Sequence, residues 1–167
     1  MVDHRIIERP AFDVIGSKTW ISGQDNSLFG SFWERCRAEG LFAIFGQING
    51  MRAGPQTGGV TLGISCVEQD PAKREFYYLI GVENPARCTV AGLETYRVPA
   101  AQWAVFECHG PVPDSIVRAE IYAFMEWLPG SGSVHANAPE MEIYPLGSDS
   151  GSEDNYCEFW LPIKGKV

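Results

Sequence analysis

Glu75-Phe76-Tyr77-Tyr78-Leu79-Ile80-Gly81-Val82-Glu83 reads as a β-strand that is apolar on both faces. Alternation puts Phe76, Tyr78, Ile80 and Val82 on one side and Tyr77 and Leu79 on the other. A layer of helices covers one face of a sheet, so the second face of this one must be shielded by a loop, a partner subunit or a ligand. Working outward, Val60 to Val67 supplies the strand before it, and the pair is echoed by Glu140 to Leu146 and Tyr156 to Lys164, again two strands around a polar turn. Ala11 to Ser17 opens the first half, and Leu93 to Cys108, bent or bulged near Pro99, opens the second.

One amphipathic helix falls in each half. Residues 24 to 40 place Leu28, Phe29, Phe32, Trp33 and Cys36 on one face, with Asn26 or Ser27 to cap the start and Gly40 to end it. Asp114 to Leu128 repeats the design with Val117, Ile121, Phe124, Met125 and Leu128 on one stripe, and Pro129-Gly130 stops it. The order strand, helix, strand, strand occurs twice, with little residue identity between the copies. It predicts an α+β fold: one curved antiparallel sheet with both helices on one face. The expected organisation is a single domain over 1–167, with halves at about 10–85 and 91–164. The glycine-rich stretch Gly46 to Gly59 reads as a mobile connection, and it has no phosphate-loop spacing.

With 13 Lys and Arg against 21 Asp and Glu, the chain carries a net charge of −8. No basic run is present, which argues against direct nucleic-acid binding. A 45% apolar composition suits a packed core and not a disordered chain. The longest apolar runs are far shorter than a membrane span, and Met1 to Pro10 lacks a secretory h-region, so the expectation is a cytoplasmic protein without membrane association. Five cysteines without close pairs read as reduced thiols, and His4, His109 and His135 are too scattered for a metal site. No cofactor is expected.

Chemistry concentrates in Tyr156-Cys157-Glu158-Phe159-Trp160-Leu161-Pro162-Ile163. Cys157, Phe159, Leu161 and Ile163 suit a helix-covered core, and Tyr156, Glu158 and Trp160 then face the other way. A carboxylate between two aromatic rings must be protonated, paired internally or neutralised by a visiting cation. One reading is a site for a lipophilic cation, to which aromatic faces add about 0.5 to 2 kcal/mol each. The other is a structural group, paired with Arg97, Arg118 or a tyrosine hydroxyl, or solvated at an edge. Glu142 beside Tyr144 has the same ambiguity, an outward-facing glutamate on an edge strand being the plainer possibility. Glu107, which shares a face with Trp103 and Val105, is a reserve candidate.

Gly63-Ile64-Ser65, Asp70-Pro71, Phe76 to Val82, Val98-Pro99-Ala100, Trp103 to Phe106, Gly110-Pro111, Glu126-Trp127-Leu128-Pro129, Glu142-Ile143-Tyr144, Ser152-Glu153-Asp154 and Cys157 to Ile163, in that order, resemble the GyrI-like family. These are the effector-binding domains of AraC-type and MerR-type multidrug regulators, which also occur as stand-alone proteins. The resemblance implies two β-α-β-β modules related by a pseudo-two-fold, with a ligand cleft between them. It also implies a last-strand glutamate among aromatic side chains that meets cationic, lipophilic ligands. Carried over, the ligand-binding residues are Glu158 with Trp160, Tyr156, Tyr144, Trp127 and Tyr78. Only about ten residues precede the first strand, so no helix-turn-helix is expected. The leading expectation is a binding protein for hydrophobic, cationic small molecules that senses or sequesters them. Two rivals are a small-molecule hydrolase in which Glu158 works with Tyr144 or Tyr156, and a protein-interaction module of the gyrase-inhibitor type. A protein partner or a homodimer is compatible with each.

Overall fold

The computed structural model of the protein describes residues 1–166. In chain order its elements are β1 (His4–Arg9), β2 (Phe12–Ser22), α1 (Ser27–Ala38), α2 (Leu41–Asn49), β3 (Thr61–Cys66), β4 (Glu75–Glu83), β5 (Glu94–Val98), β6 (Ala101–His109) and α3 (Asp114–Tyr122). A π-helical turn, Ala123–Trp127, then leads into α4 (Leu128–Gly130), followed by β7 (Ser133–His135), β8 (Glu140–Tyr144) and β9 (Tyr156–Gly165). The strands form one antiparallel, curved sheet in the order β1-β6-β9-β8-β3-β4-β2-β5, with β7 also paired to β9.

The predicted α+β fold is thus observed. Within the sheet order, β6-β9-β8 mirrors β2-β4-β3, and the two halves meet where β3 pairs β8. The register superposes one half on the other: Leu62 opposite Gly81 takes the place of Met141 opposite Trp160, so Gly63 falls where Glu142 stands. α1 and α2 cover β2 and β4, burying Phe32, Cys36, Leu41 and Phe45 against Ile15, Ile21, Ile80 and Val82. α3 and the π-helical turn that continues it cover β6 and β9, with Ile116, Ala119 and Ala123 against Phe106, Phe159 and Leu161. The central strands β3 and β8 lie between these two layers.

The opposite face needs no loop, partner or ligand to shield it, because the sheet curls over it. Side chains from seven strands meet there, among them Val14, Leu62, Ile64, Leu79, Val98, Trp103, Met141, Ile143 and Trp160. The curl is enforced by connectivity. Only Pro99 and Ala100 separate β5, at one edge of the sheet, from β6, one strand in from the other edge. Proline cannot donate to a ladder, so the bend expected near Pro99 becomes a strand break. Gly16 and Gly81 oppose one another in the β2–β4 ladder, where a Cβ on Gly16 would come 2.0 Å from the Ile80 carbonyl oxygen.

Four local expectations are corrected. α1 is not capped by the side chain of Asn26 or Ser27; Asp25 accepts from the Ser27 amide at 3.0 Å. The stretch from Gly46 is not a slack connection. It begins inside α2, and its later part is pinned by the buried Glu83 carboxylate, which accepts from the amides of Gln56 (2.9 Å) and Thr57 (3.0 Å) and from the Thr57 hydroxyl (2.7 Å). Val117 and Ile121 on α3 and Met125 on the π-helical turn point outward, because this helical segment lies close on the sheet through its small Ala119 and Ala123. Finally, His4–Arg9 is a strand, since its pairing with β6 satisfies an edge that would otherwise stay open.

Candidate functional site

The strip between the helical layers is floored by Gly63 of β3 and Glu142 of β8, directly opposite one another. Glu142 is partly exposed, as are Trp33 and Phe29 of α1, Tyr144 of β8 and Glu120 of α3. Its Oε1 accepts from the Tyr144 hydroxyl at 2.5 Å and from the Tyr78 hydroxyl at 3.1 Å, and the Tyr78 oxygen accepts from Trp33 Nε1 at 3.0 Å. Around this chain of bonds the Trp33 and Tyr144 rings meet edge to face at 5.2 Å, and Phe29 meets Tyr78 at 4.8 Å. Oε2 of Glu142 has no hydrogen bond, and the carboxylate no cationic partner, among the described residues.

Gly63 makes this geometry possible. Tyr78 belongs to β4, on the far side of β3 from Glu142, so its phenol must pass over the β3 backbone. A Cβ on Gly63 would lie 2.3 Å from the Tyr78 hydroxyl and 3.0 Å from Glu142 Oε1. No side chain other than hydrogen fits there.

Burial pushes the Glu142 carboxyl above its ordinary range, an effect its two phenol donors oppose. Both phenols are held well above their usual range by burial and by the adjacent carboxylate, so they remain donors. Glu120, reaching in from α3, is raised to about 8, by burial first and by Glu142 and Glu140 next. The strip therefore gathers acidic groups whose ionised forms burial and mutual repulsion disfavour, in an aromatic surrounding. A monocation with apolar substituents would favour ionisation of Glu142 and lie against ring faces.

The six residues expected to bind ligand do not form one site. Tyr144 and Tyr78 belong to the Glu142 strip. Glu158, Tyr156 and Trp160 lie on the other face of the sheet, and Trp127 sits over β6, its Nε1 donating to His4 Nε2 at 3.0 Å and its ring 5.4 Å from Phe106. Glu158 is only 6% exposed and does not lack an internal counter-charge. It accepts from the Arg5 guanidinium at 3.0 Å, the Tyr156 hydroxyl at 2.6 Å and Trp160 Nε1 at 3.0 Å. The reason lies in β1, which places Arg5 opposite Val105 and hence on the face of Glu158. Glu142 is not on an edge strand, since β8 has neighbours on both sides. Trp33 and Glu120 were legible only as helix residues, and nothing local in the sequence shows that both lean over the same strip.

Comparison with known proteins agrees with this architecture. The family described as GyrI-like small molecule binding domain matches residues 3–164. The transcriptional regulator BrlR of Pseudomonas aeruginosa is 34% identical over 110 residues, 65% of this chain, a match that spans about a third (36%) of that regulator's length. Among solved structures, SAV2435 bound to tetraphenylphosphonium superposes with a TM-score of 0.78 at 22% identity, over 98% of this chain and 94% of that one. The C-terminal domain of EcmrR gives 0.60 at 16% identity over 99% of both chains. At such identities the structural likeness is one of fold.

Proposed function

We propose, from the premise that the chain belongs to the GyrI-like small-molecule binding domain family, that the two halves act as one binding unit for lipophilic monocations, held over the β3–β8 junction with Glu142 as counter-charge. The observation that carries this reading is a carboxylate tied by two phenols at one oxygen, with no cation beside it among the described residues, in the midst of Trp33, Phe29, Tyr78 and Tyr144. Tetraphenylphosphonium, to which SAV2435 is bound in its solved structure, has this chemistry: one positive charge wrapped in aromatic surface. The lengthy aromatic walls supply apolar contact, and Glu142 discriminates against neutral compounds of the same shape. Glu158, paired with Arg5, serves instead as the brace that fastens β1 to the sheet.

Titration calorimetry with tetraphenylphosphonium tests the assignment. Glu142→Gln keeps both phenol contacts and removes the charge, and it is expected to weaken binding at least about tenfold, the scale of one desolvated charge contact. Equal affinity in the variant would remove Glu142 from the site. A neutral tetraarylmethane-like compound should be nearly indifferent to the change.

A further inference from the structure

On the sheet face away from Glu142, residues of the β3–β4 turn and of β2, β4 and β5 enclose a hollow of about 380 Å³. Its wall includes Lys18, Trp20, Cys66, Glu68, Tyr77 and Tyr96. We propose that this hollow is a second, separate ligand site, and that it takes a primary arylalkylammonium ion. It does not rest on the function assigned to the Glu142 strip.

The charged end of such a ligand is specified by Glu68. One carboxylate oxygen accepts from the Tyr96 hydroxyl at 2.8 Å, while the other is buried with no hydrogen-bond partner among the described residues. A buried acceptor without a partner loses its hydration and gains nothing in return, so such a group calls for a donor. Of the other charges on the wall, Lys18 is paired with Glu94 at 2.7 Å and Glu75 with Lys73 at 3.1 Å, while Asp70 accepts from the Ala72 amide at 3.2 Å and has no cationic partner among the described residues. Cys66 contributes no charge, because burial and the neighbouring Glu68 push its thiol up to about 12. An N–H-bearing cation satisfies the free oxygen once the carboxylate turns about its soft terminal torsion. A quaternary ammonium or phosphonium has no hydrogen to give.

The apolar end is specified by the rim. Trp20 and Tyr77 are large aromatic side chains left 51% and 45% exposed, with ring centres 5.0 Å apart and nearly perpendicular. Lys18 Nζ lies 4.1 Å from the centre of the Tyr77 ring and so covers one face of it, which leaves the half-exposed Trp20 as the main aromatic surface for the ligand. A hollow of this size sits within the usual range of small-molecule pockets, roughly 300–1,000 Å³, and has room for a bicyclic ring on a two-carbon tether.

Tryptamine and its N,N,N-trimethyl analogue are the probes, titrated by calorimetry into the whole protein at neutral pH. Tryptamine should bind, the trimethyl compound about tenfold more weakly, and Glu68→Gln and Trp20→Ala should each weaken tryptamine about tenfold. Saturating tetraphenylphosphonium and Glu142→Gln should leave tryptamine affinity unchanged, which separates this site from the strip on the other face. A thermal melt accompanies each variant, and Trp20→Ala, at an exposed position, decides the matter if Glu68→Gln folds poorly. Absence of tryptamine binding at millimolar concentration, equal binding of the two probes, or displacement by tetraphenylphosphonium would each overturn the proposal.

Discussion

Replacing Gly63 by alanine should disable the Glu142 strip without touching either of its polar residues. The added methyl would lie 2.3 Å from the Tyr78 hydroxyl and 3.0 Å from Glu142 Oε1, so the phenol must retreat by more than 1 Å, and its 3.1 Å bond to Glu142 breaks. Overpacking of this kind costs about 1–3 kcal/mol and a buried donor set adrift about 1–3 kcal/mol, against a gain of about 0.5–1 kcal/mol for replacing glycine in a strand. The net loss is expected to be about 2–4 kcal/mol. Urea unfolding of the single variants Gly63→Ala and Tyr78→Phe and of the double variant measures it. Removing the phenol oxygen removes the obstacle, so the double variant should lie at least about 1 kcal/mol above the sum of the two singles. Strict additivity would mean that Gly63 and Tyr78 do not meet as described, and the argument for the strip's geometry would fail with it.

Further outcomes follow from other groups. Glu120 has a carboxyl raised from 4.5 to about 8, so folding favours its protonated form; its contribution is retained below pH 4.5 and lost as pH climbs through 8. Glu120→Gln should accordingly gain on the parent by up to a few kcal/mol between those limits and match it in acid, which unfolding at a series of pH values reads directly. Arg5→Met leaves the buried Glu158 without its cation and should cost about 1–3 kcal/mol, a value reduced because half of the Arg5 side chain is in solvent. Adding Glu158→Gln should recover most of that loss in a thermal melt. At Gly54 a methyl would fall 1.9 Å from Glu83 Oε2, so Gly54→Ala should free the segment around Gln56 and Thr57, seen as faster cleavage there in limited proteolysis.

How much of this was legible from the chain can be judged from particular residues. Period-two alternation in Glu75–Glu83 and Tyr156–Gly165 announces the sheet and its buried faces, and the repeated element order announces the two halves. The Pro99 break and the Gly40 stop follow from backbone chemistry alone, Gly40 adopting φ of 79°. Sequence placed Glu158 on the right face, yet could not show that Arg5, more than a hundred and fifty residues away, would reach it. It paired Glu142 with Tyr144 by alternation, but left β8 as an edge because strand order is a long-range property. On α3 two apolar stripes compete, and the bulkier one lost because close approach to the sheet favours the alanines.

One consequence of the pseudo-symmetric register concerns the guest itself. A duplicated floor would ordinarily offer a visitor two equivalent seats, related by the dyad between β3 and β8, with a like charge at each. Here one seat holds a carboxylate and its twin holds only a hydrogen atom, over which a phenol from the neighbouring strand reaches across to that carboxylate. On the proposed reading, that asymmetry would orient a guest: its charge would lie toward the half that carries Glu142, and its bulk would fill the other.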